Sequence, residues 1–121
     1  MLYYTGISTD GKMLIGGIWS LYHQEGFPIE MSYLVCKDNM CLVDWMEVMA
    51  DASITHNCPA LMRLIEGFLP VDDIKNIKLG FMCMVHSGKT FEQIVQEKRN
   101  KGTSINLHLS DRIKHIEINE R

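Results

Sequence analysis

The sequence has few of the features that assign a protein to a membrane, a secretory route or a fibrous class. Its longest apolar runs, such as residues 81–85, are far shorter than the roughly 20 residues needed to cross a bilayer. Residues 1–7 carry no basic group and no long apolar stretch, so they do not form a secretory signal. Proline is scarce, with 3 residues, and no repeat or low-complexity tract occurs. We therefore expect a soluble cytoplasmic protein and exclude the disordered and collagenous classes.

The length and composition indicate a single globular domain over residues 1–121. Of the 121 residues, 46% are hydrophobic and 22% are charged. A chain of this size buries roughly two-thirds of its unfolded surface, so its core needs no disulfide, metal or cofactor. The four cysteines lie in or beside apolar segments, and in a reducing compartment we expect free thiols that pack as small apolar side chains. They are Cys36, Cys41, Cys58 and Cys83.

Residues 12–25 fit two different structures. Apolar residues at helical spacing predict a helix that ends before Gly26. Asp10-Gly11 is a strong hairpin-turn signal, however, and a β-hairpin over roughly residues 2–16 competes with the helix. In a helix, Gly16 and Gly17 would together cost about 2 kcal/mol relative to alanine. The sequence leaves both structures open.

Five later segments have apolar residues at helical spacing, with stop and cap signals between them. Thr90 and Gln93 form a capping box for the last of these helices. Helices are predicted from Pro28 to about Lys37, from Leu42 to Ala52, from Pro59 to the Gly67 stop, from about Asp72 to Val85, and from Phe91 to about Asn100.

The hydrophobic period changes to two near the C-terminus. Apolar residues alternate with polar ones in residues 104–109 and again at Ile116 and Ile118, which predicts two antiparallel strands. A lone hairpin is marginal in water, so we expect it to pack on the helices, with residues 2–7 as an optional third strand. The predicted fold is α+β and mainly helical, with five to six short helices and a small antiparallel C-terminal hairpin.

One segment resembles the end of a phosphate-binding loop. Ser87-Gly88-Lys89-Thr90 has the right final residues, but the full pattern needs a glycine where this chain has Cys83, and a strand upstream where we predict a helix. Gly88 as a helix stop and Thr90 as a helix cap explain the same residues. We therefore do not assign nucleotide binding to this segment.

Thiol and imidazole groups occur at spacings that a zinc site or a thiol enzyme would use. His56 and Cys58 are separated by one residue, and Cys83 and His86 by two. Cys58 also lies just before a predicted helix, where a thiolate is favoured. Most of the cysteines have apolar neighbours and lack the knuckle residues of zinc sites. Thiol- or zinc-dependent activity is thus an alternative, and we assign no catalytic or metal-binding residue.

The charges are unevenly distributed along the chain. Residues 1–73 contain three basic and ten acidic residues, a net charge of −7, whereas residues 74–121 contain nine basic and five acidic residues, a net charge of +4. Basic residues of the C-terminal third suggest weak nucleic-acid binding, although no aromatic stacking platform accompanies them. These residues are Lys98, Arg99, Lys101, Arg112 and Lys114.

The predicted helix from Leu42 to Ala52 carries an acidic stripe. Asp44, Glu47 and Asp51 fall on one side at helical spacing, and we expect this side to face solvent. Together with Trp45, the stripe is a candidate surface for a protein partner. If the acidic and basic groups pair within one molecule, they stabilise the fold; if they pair between molecules, they predict head-to-tail assembly that salt dissolves.

The function that these observations favour is interaction with proteins, without catalysis. No complete catalytic or cofactor pattern occurs, and nine methionines can provide adaptable apolar surfaces for a partner. The leading hypothesis is a self-associating interaction protein, or an inhibitory accessory protein of the kind that phages and mobile elements carry. Weak nucleic-acid binding and the thiol or zinc activity are the alternatives.

Overall fold

The computed structural model describes residues 2–102, with side chains for residues 2–100. In this range the fold is mainly helical α+β, with six helices and a three-stranded mixed sheet. The predicted C-terminal hairpin, over residues 104–118, lies outside the described residues and stays a prediction. The strands are β1 (Tyr3–Ile7), β2 (Met13–Gly16) and β3 (Leu42–Val43); the helices are α1 (Ile18–Glu25), α2 (Ile29–Asp38), α3 (Trp45–Ile54), α4 (Cys58–Glu66), α5 (Val71–Val85) and α6 (Phe91–Gly102).

The N-terminal segment contains both of the structures that competed in the sequence. β1 and β2 form an antiparallel hairpin, closed by a turn in which Gly11 has a positive φ of 84°. Gly17, with a φ of 86°, then begins α1, which ends at Gly26 in the left-handed conformation. The helix prediction was therefore wrong for residues 13–16 and right beyond them. Strand pairing on both sides of β2 outweighs the helical spacing there.

The start of α3 also differs from the prediction. Leu42 and Val43 do not belong to the helix; they form β3, which pairs in parallel with Leu14 and Ile15 of β2. Asp44 ends the strand and caps α3, since its carboxylate accepts a hydrogen bond from the Glu47 amide at 3.1 Å. Among the residues that the structure describes, the sheet order is β1-β2-β3, with this short strand at one side.

Helix α3 lies at the centre of the molecule. It contacts α1, α4, α5 and α6 as well as β2. Val48, Met49 and Ala52 are buried in the main core, which α1, α2, α4, α5 and all three strands also enter. A helix that is packed on so many sides has little surface left to expose.

The remaining helices begin and end largely where their capping residues indicated. Pro59 lies in the first turn of α4, as predicted. The capping box of α6 is confirmed, because the Thr90 amide donates to Gln93 Oε1 at 2.9 Å and the Gln93 amide donates to Thr90 Oγ1 at 3.0 Å. Within residues 2–102, no helix combines the length and apolar character that membrane crossing requires.

Candidate interaction surfaces and the buried acidic network

The acidic stripe of α3 lies on one side of the helix, but that side faces the interior. Asp44 is 6% exposed and Glu47 is fully buried, and the side chain of Asp51 is mostly buried, at 11% exposed. The expectation that these acids face solvent was therefore wrong. The physical reason is that α6 packs against α3, and side chains of β1 and α6 provide hydrogen bonds and cations for the carboxylates.

Glu47 occupies a closely fitted site. Its Oε2 accepts a hydrogen bond from the Tyr3 hydroxyl at 2.5 Å, and its Oε1 accepts one from the Gly17 amide at 2.9 Å. Gly16 makes room for the side chain, since a Cβ there would lie 2.9 Å from Glu47 Cδ. The pKa of Glu47 is raised to about 7, mainly by burial, with smaller contributions from the nearby acids Asp51 and Asp44, while the hydrogen bonds from Tyr3 and Gly17 act in the opposite direction.

Asp44 joins three elements of the fold. Its Oδ2 accepts a hydrogen bond from Thr5 Oγ1 of β1 at 2.6 Å and lies 2.8 Å from Lys98 Nζ of α6. Its other oxygen caps α3 through the Glu47 amide. The carboxylate is buried while the lysine is partly exposed, so the ion pair closes the edge of the network against solvent.

Asp51 and Arg99 form the third part of the network. Ser20 Oγ of α1 donates to Asp51 Oδ2 at 2.8 Å, and Arg99 of α6 lies 4.0 Å from the same oxygen. The Arg99 guanidinium also lies 5.9 Å from the centre of the Tyr3 ring, in a cation–π arrangement. Burial, together with the adjacent Glu47 carboxylate, raises the pKa of the Tyr3 hydroxyl, so Tyr3 is a stable hydrogen-bond donor.

The basic residues predicted for nucleic-acid binding are placed differently from one another. Lys98 and Arg99 contact the acidic residues of α3, as described above. Lys101 belongs to α6, but its side chain lies outside the described residues, as do Arg112 and Lys114. Two of the five residues predicted to contact phosphates, Lys98 and Arg99, thus interact with carboxylates of the same chain instead.

Trp45 lies half-buried beside a cleft rather than in the acidic network. Its ring centre is 6.4 Å from that of Tyr33 of α2 and 6.5 Å from that of Phe68, which follows the end of α4. The adjacent cleft has a volume of about 490 Å³, and Lys12 and Lys37 line it along with Trp45. The acids and the tryptophan therefore do not form the single surface that the sequence suggested.

The thiol and imidazole groups do not form a metal site in residues 2–100. No group of three or more histidine, cysteine or acidic side chains is arranged there to hold a metal ion. His56 is exposed before α4, and Cys83 and His86 are exposed on α5 and at its end. Burial raises the pKa of the Cys36 thiol to about 12, which keeps this cysteine protonated and unreactive.

The segment that resembles a phosphate-binding loop has local contacts instead. Lys89 Nζ lies 2.8 Å from Glu97 Oε2, and Thr90 caps α6. Ser87 Oγ donates to the Met84 carbonyl oxygen at 2.6 Å, which closes the end of α5. Each of these residues therefore serves the helix ends, in agreement with the helix-stop and helix-cap interpretation.

The outward side of α5 exposes several large apolar side chains. Leu79 is 62% exposed and Met82 is 57% exposed, and Val85 and Cys83 are also exposed beside them. Leu79 lies opposite Ile77 and Phe81, which turn toward the core. Large apolar side chains exposed near one another on a regular helix are typical of a contact surface.

Sequence reasoning missed the residues that surround the acids. Tyr3, Thr5 and Ser20 donate hydrogen bonds to the three carboxylates from β1 and α1. The adjacent glycines Gly16 and Gly17 were a signal, because one leaves space for Glu47 and the other donates to it. Both glycines act through Glu47, about thirty positions later in the chain, and the local spacing of residues gives no information on such a long-range contact.

Comparison with protein-family models, curated proteins and solved structures found no match to this chain.

Proposed function

We propose that the protein acts by binding proteins, without catalysis, and that it associates with a second copy of itself through the outer face of α5. The observation that carries the proposal is the exposure of Leu79 and Met82 at the middle of a fifteen-residue helix. Burying two such side chains against another copy removes apolar surface from water, which favours association.

The spacing on this face suits a helix pair. Asp72, Lys75, Leu79, Met82 and His86 follow one another at alternating intervals of three and four residues, the repeat that forms a seam between two packed helices. All five are exposed. Leu79 and Met82 occupy the centre of the seam, where a partner helix makes its closest contact.

The charges at the two ends of α5 favour an antiparallel arrangement with a second copy. Asp72 lies in the first turn, whereas His86 and Lys89 follow the last turn, where Lys89 also pairs with Glu97 of its own chain. In an antiparallel pair, Asp72 of each copy lies near the basic end of the other helix. The same surface is then used twice, as in a two-fold symmetric dimer.

Substitution of Leu79 tests the proposal. Leu79→Lys places a charge at the centre of the seam, so we expect a monomer where the unchanged protein shows a dimer in sedimentation equilibrium. Leu64→Lys is the matched control, because Leu64 is an exposed leucine on a different helix, α4. We expect it to retain the dimer. If all three proteins associate equally, dimerisation uses a surface other than the outer face of α5. If all three are monomers, the protein does not self-associate.

Nucleic-acid binding has less support as a second function. Lys98 and Arg99 already contact carboxylates, so phosphate contacts would have to replace these ion pairs. No described feature favours thiol or zinc chemistry over the proposed interaction.

A further inference from the structure

A cleft lies between the sheet and three of the helices. β2, β3, α2, α3 and α5 all contribute residues to its walls, and its volume is about 490 Å³. Pockets of roughly 300–1,000 Å³ accept small organic molecules, whereas a protein partner makes contact over a much wider surface. The α5 residues that line the cleft, Asp73, Asn76 and Ile77, are not those of the seam. The cleft and the proposed association surface therefore use different residues.

Two aromatic side chains that line the cleft are held in place by a third. Tyr33 of α2 and Trp45 of α3 are partly buried, and their ring centres are 6.4 Å apart. The ring centre of Phe68 lies 5.4 Å from that of Tyr33 and 6.5 Å from that of Trp45. Because these contacts restrict both rings, the cleft presents flat apolar surfaces in a fixed position. Such surfaces favour a ligand with a planar ring system.

Two lysines give the cleft a preference for negative charge. Residues 1–73 contain ten acidic and only three basic residues, yet two of those three, Lys12 and Lys37, line the cleft. Both are exposed, and within residues 2–100 neither of them takes part in an ion pair. Their ammonium groups therefore attract an anionic group to the cleft.

The acidic residues near the cleft leave this preference in place. Asp44 also lines the cleft, but its carboxylate is already paired with Lys98. Asp73 lies in the first turn of α5, where the helix dipole favours a negative charge. Lys12 interacts electrostatically with Asp10, but that carboxylate is exposed on the hairpin turn, where water and salt screen the interaction.

We propose that this cleft binds a small aromatic anion. The planar ring system of the ligand lies against Tyr33 and Trp45, and Lys12 and Lys37 attract the carboxylate, sulfonate or phosphate that it carries. The occupant is a small molecule rather than a segment of a protein, because the cleft has the volume of a small-molecule pocket. This binding does not rest on association through α5.

Two probes with the same ring system separate the contribution of the aromatic walls from that of the lysines. Anilinonaphthalene sulfonate is an aromatic anion, and phenylnaphthylamine is the same molecule without the sulfonate. Both fluoresce more strongly when they leave water, so titration of the full, folded chain gives the affinity of each probe. We expect the sulfonate to bind at one site, and more tightly than the neutral probe.

Reversal of the lysine charges tests the preference for an anion. Lys12→Glu combined with Lys37→Glu should weaken binding of the sulfonate by about tenfold and leave binding of the neutral probe unchanged. Arg63→Glu combined with Lys78→Glu is the matched control, because it changes the net charge equally at exposed residues that do not line the cleft. Equal sulfonate affinity of the two double variants, or equal affinity of the unchanged protein for both probes, would overturn the proposal.

Leu42→Trp tests where the probes bind. Leu42 is exposed on β3 and lines the cleft, and a tryptophan there fills part of its volume while it suits a strand. We expect this variant to lose both probes, and Leu64→Trp on α4 to retain both. Retention by Leu42→Trp together with loss in Leu79→Lys would place the probes on α5 and contradict the proposal.

A short peptide distinguishes the two sources of an aromatic anion. The peptide is a tripeptide with a phenylalanine between two glutamates, and it competes with anilinonaphthalene sulfonate for the unchanged protein. We expect it to bind more weakly than the sulfonate, because its backbone must also be ordered in the cleft. Tighter binding of the tripeptide would assign the cleft to an acidic segment of a protein and overturn its assignment to a small molecule.

Discussion

At the scale of single residues, Glu47 shows how a buried charge is tolerated in this fold. Its two oxygens receive hydrogen bonds from Tyr3 and Gly17, yet burial still raises its pKa to about 7. An ordinary glutamate has a pKa of 4.5, so the folded state holds the proton more tightly than the unfolded state does. The resulting stabilisation is complete below pH 4.5 and is lost as the pH rises through 7.

Glu47→Gln should remove this pH dependence. A glutamine resembles the protonated carboxyl group, because its carbonyl accepts from Gly17 while its amide faces the Tyr3 oxygen. Between about pH 5 and pH 8, the free energy of unfolding of the unchanged protein should fall by roughly 2–3 kcal/mol relative to the variant. Denaturant unfolding at several pH values measures this difference. If the difference in unfolding free energy between the two proteins does not change with pH, Glu47 is not the group that causes the pH dependence.

Gly16 gives a second prediction at the residue scale. A Cβ at this position would lie 2.9 Å from both Glu47 Cδ and Thr5 Cγ2, inside a packed region. Gly16→Ala should therefore destabilise the fold by about 1–3 kcal/mol. Gly6→Ala is the control, because its Cβ would lie 4.0 Å from Leu14 Cδ1, which is an ordinary contact. Equal stability of the two variants in denaturant unfolding would show that Glu47 does not need the space.

At the scale of elements, α6 depends on its cap and on contacts outside the main core. Thr90→Ala removes one half of the capping box, at a cost of about 1 kcal/mol. We expect faster amide hydrogen exchange in α6 and little change in α3. Thr9→Ala, on the exposed hairpin turn, should change neither helix. Acceleration that spreads equally to α3 would mean that α6 opens only when the whole protein unfolds.

At the scale of the whole molecule, capping and stop residues predicted most element boundaries, while long-range contacts determined the rest. Gly26 and the pair Thr90 and Gln93 act locally, so their effect is visible in the sequence. The strand β3 has two residues and is fixed by pairing with β2, far earlier in the chain. Helical spacing likewise placed the three acids on one side of α3 but contained no information on what covers that side.

Helix α6, which packs on the acidic side of α3, determines where the acidic and basic groups of the chain meet. Pairing of Lys98 with Asp44 shows that acidic and basic groups meet within one molecule. The charges thereby stabilise the docking of α6, and the exposed apolar side chains of α5 are left as the surface for association.

Light scattering, which measures the molar mass of the unchanged protein across its full range of concentration, is the decisive test of self-association. We expect a mass that rises from one chain toward two as the concentration increases, and a single-chain mass for Leu79→Lys under the same conditions. A single-chain mass for the unchanged protein at every concentration would contradict self-association as its mode of action.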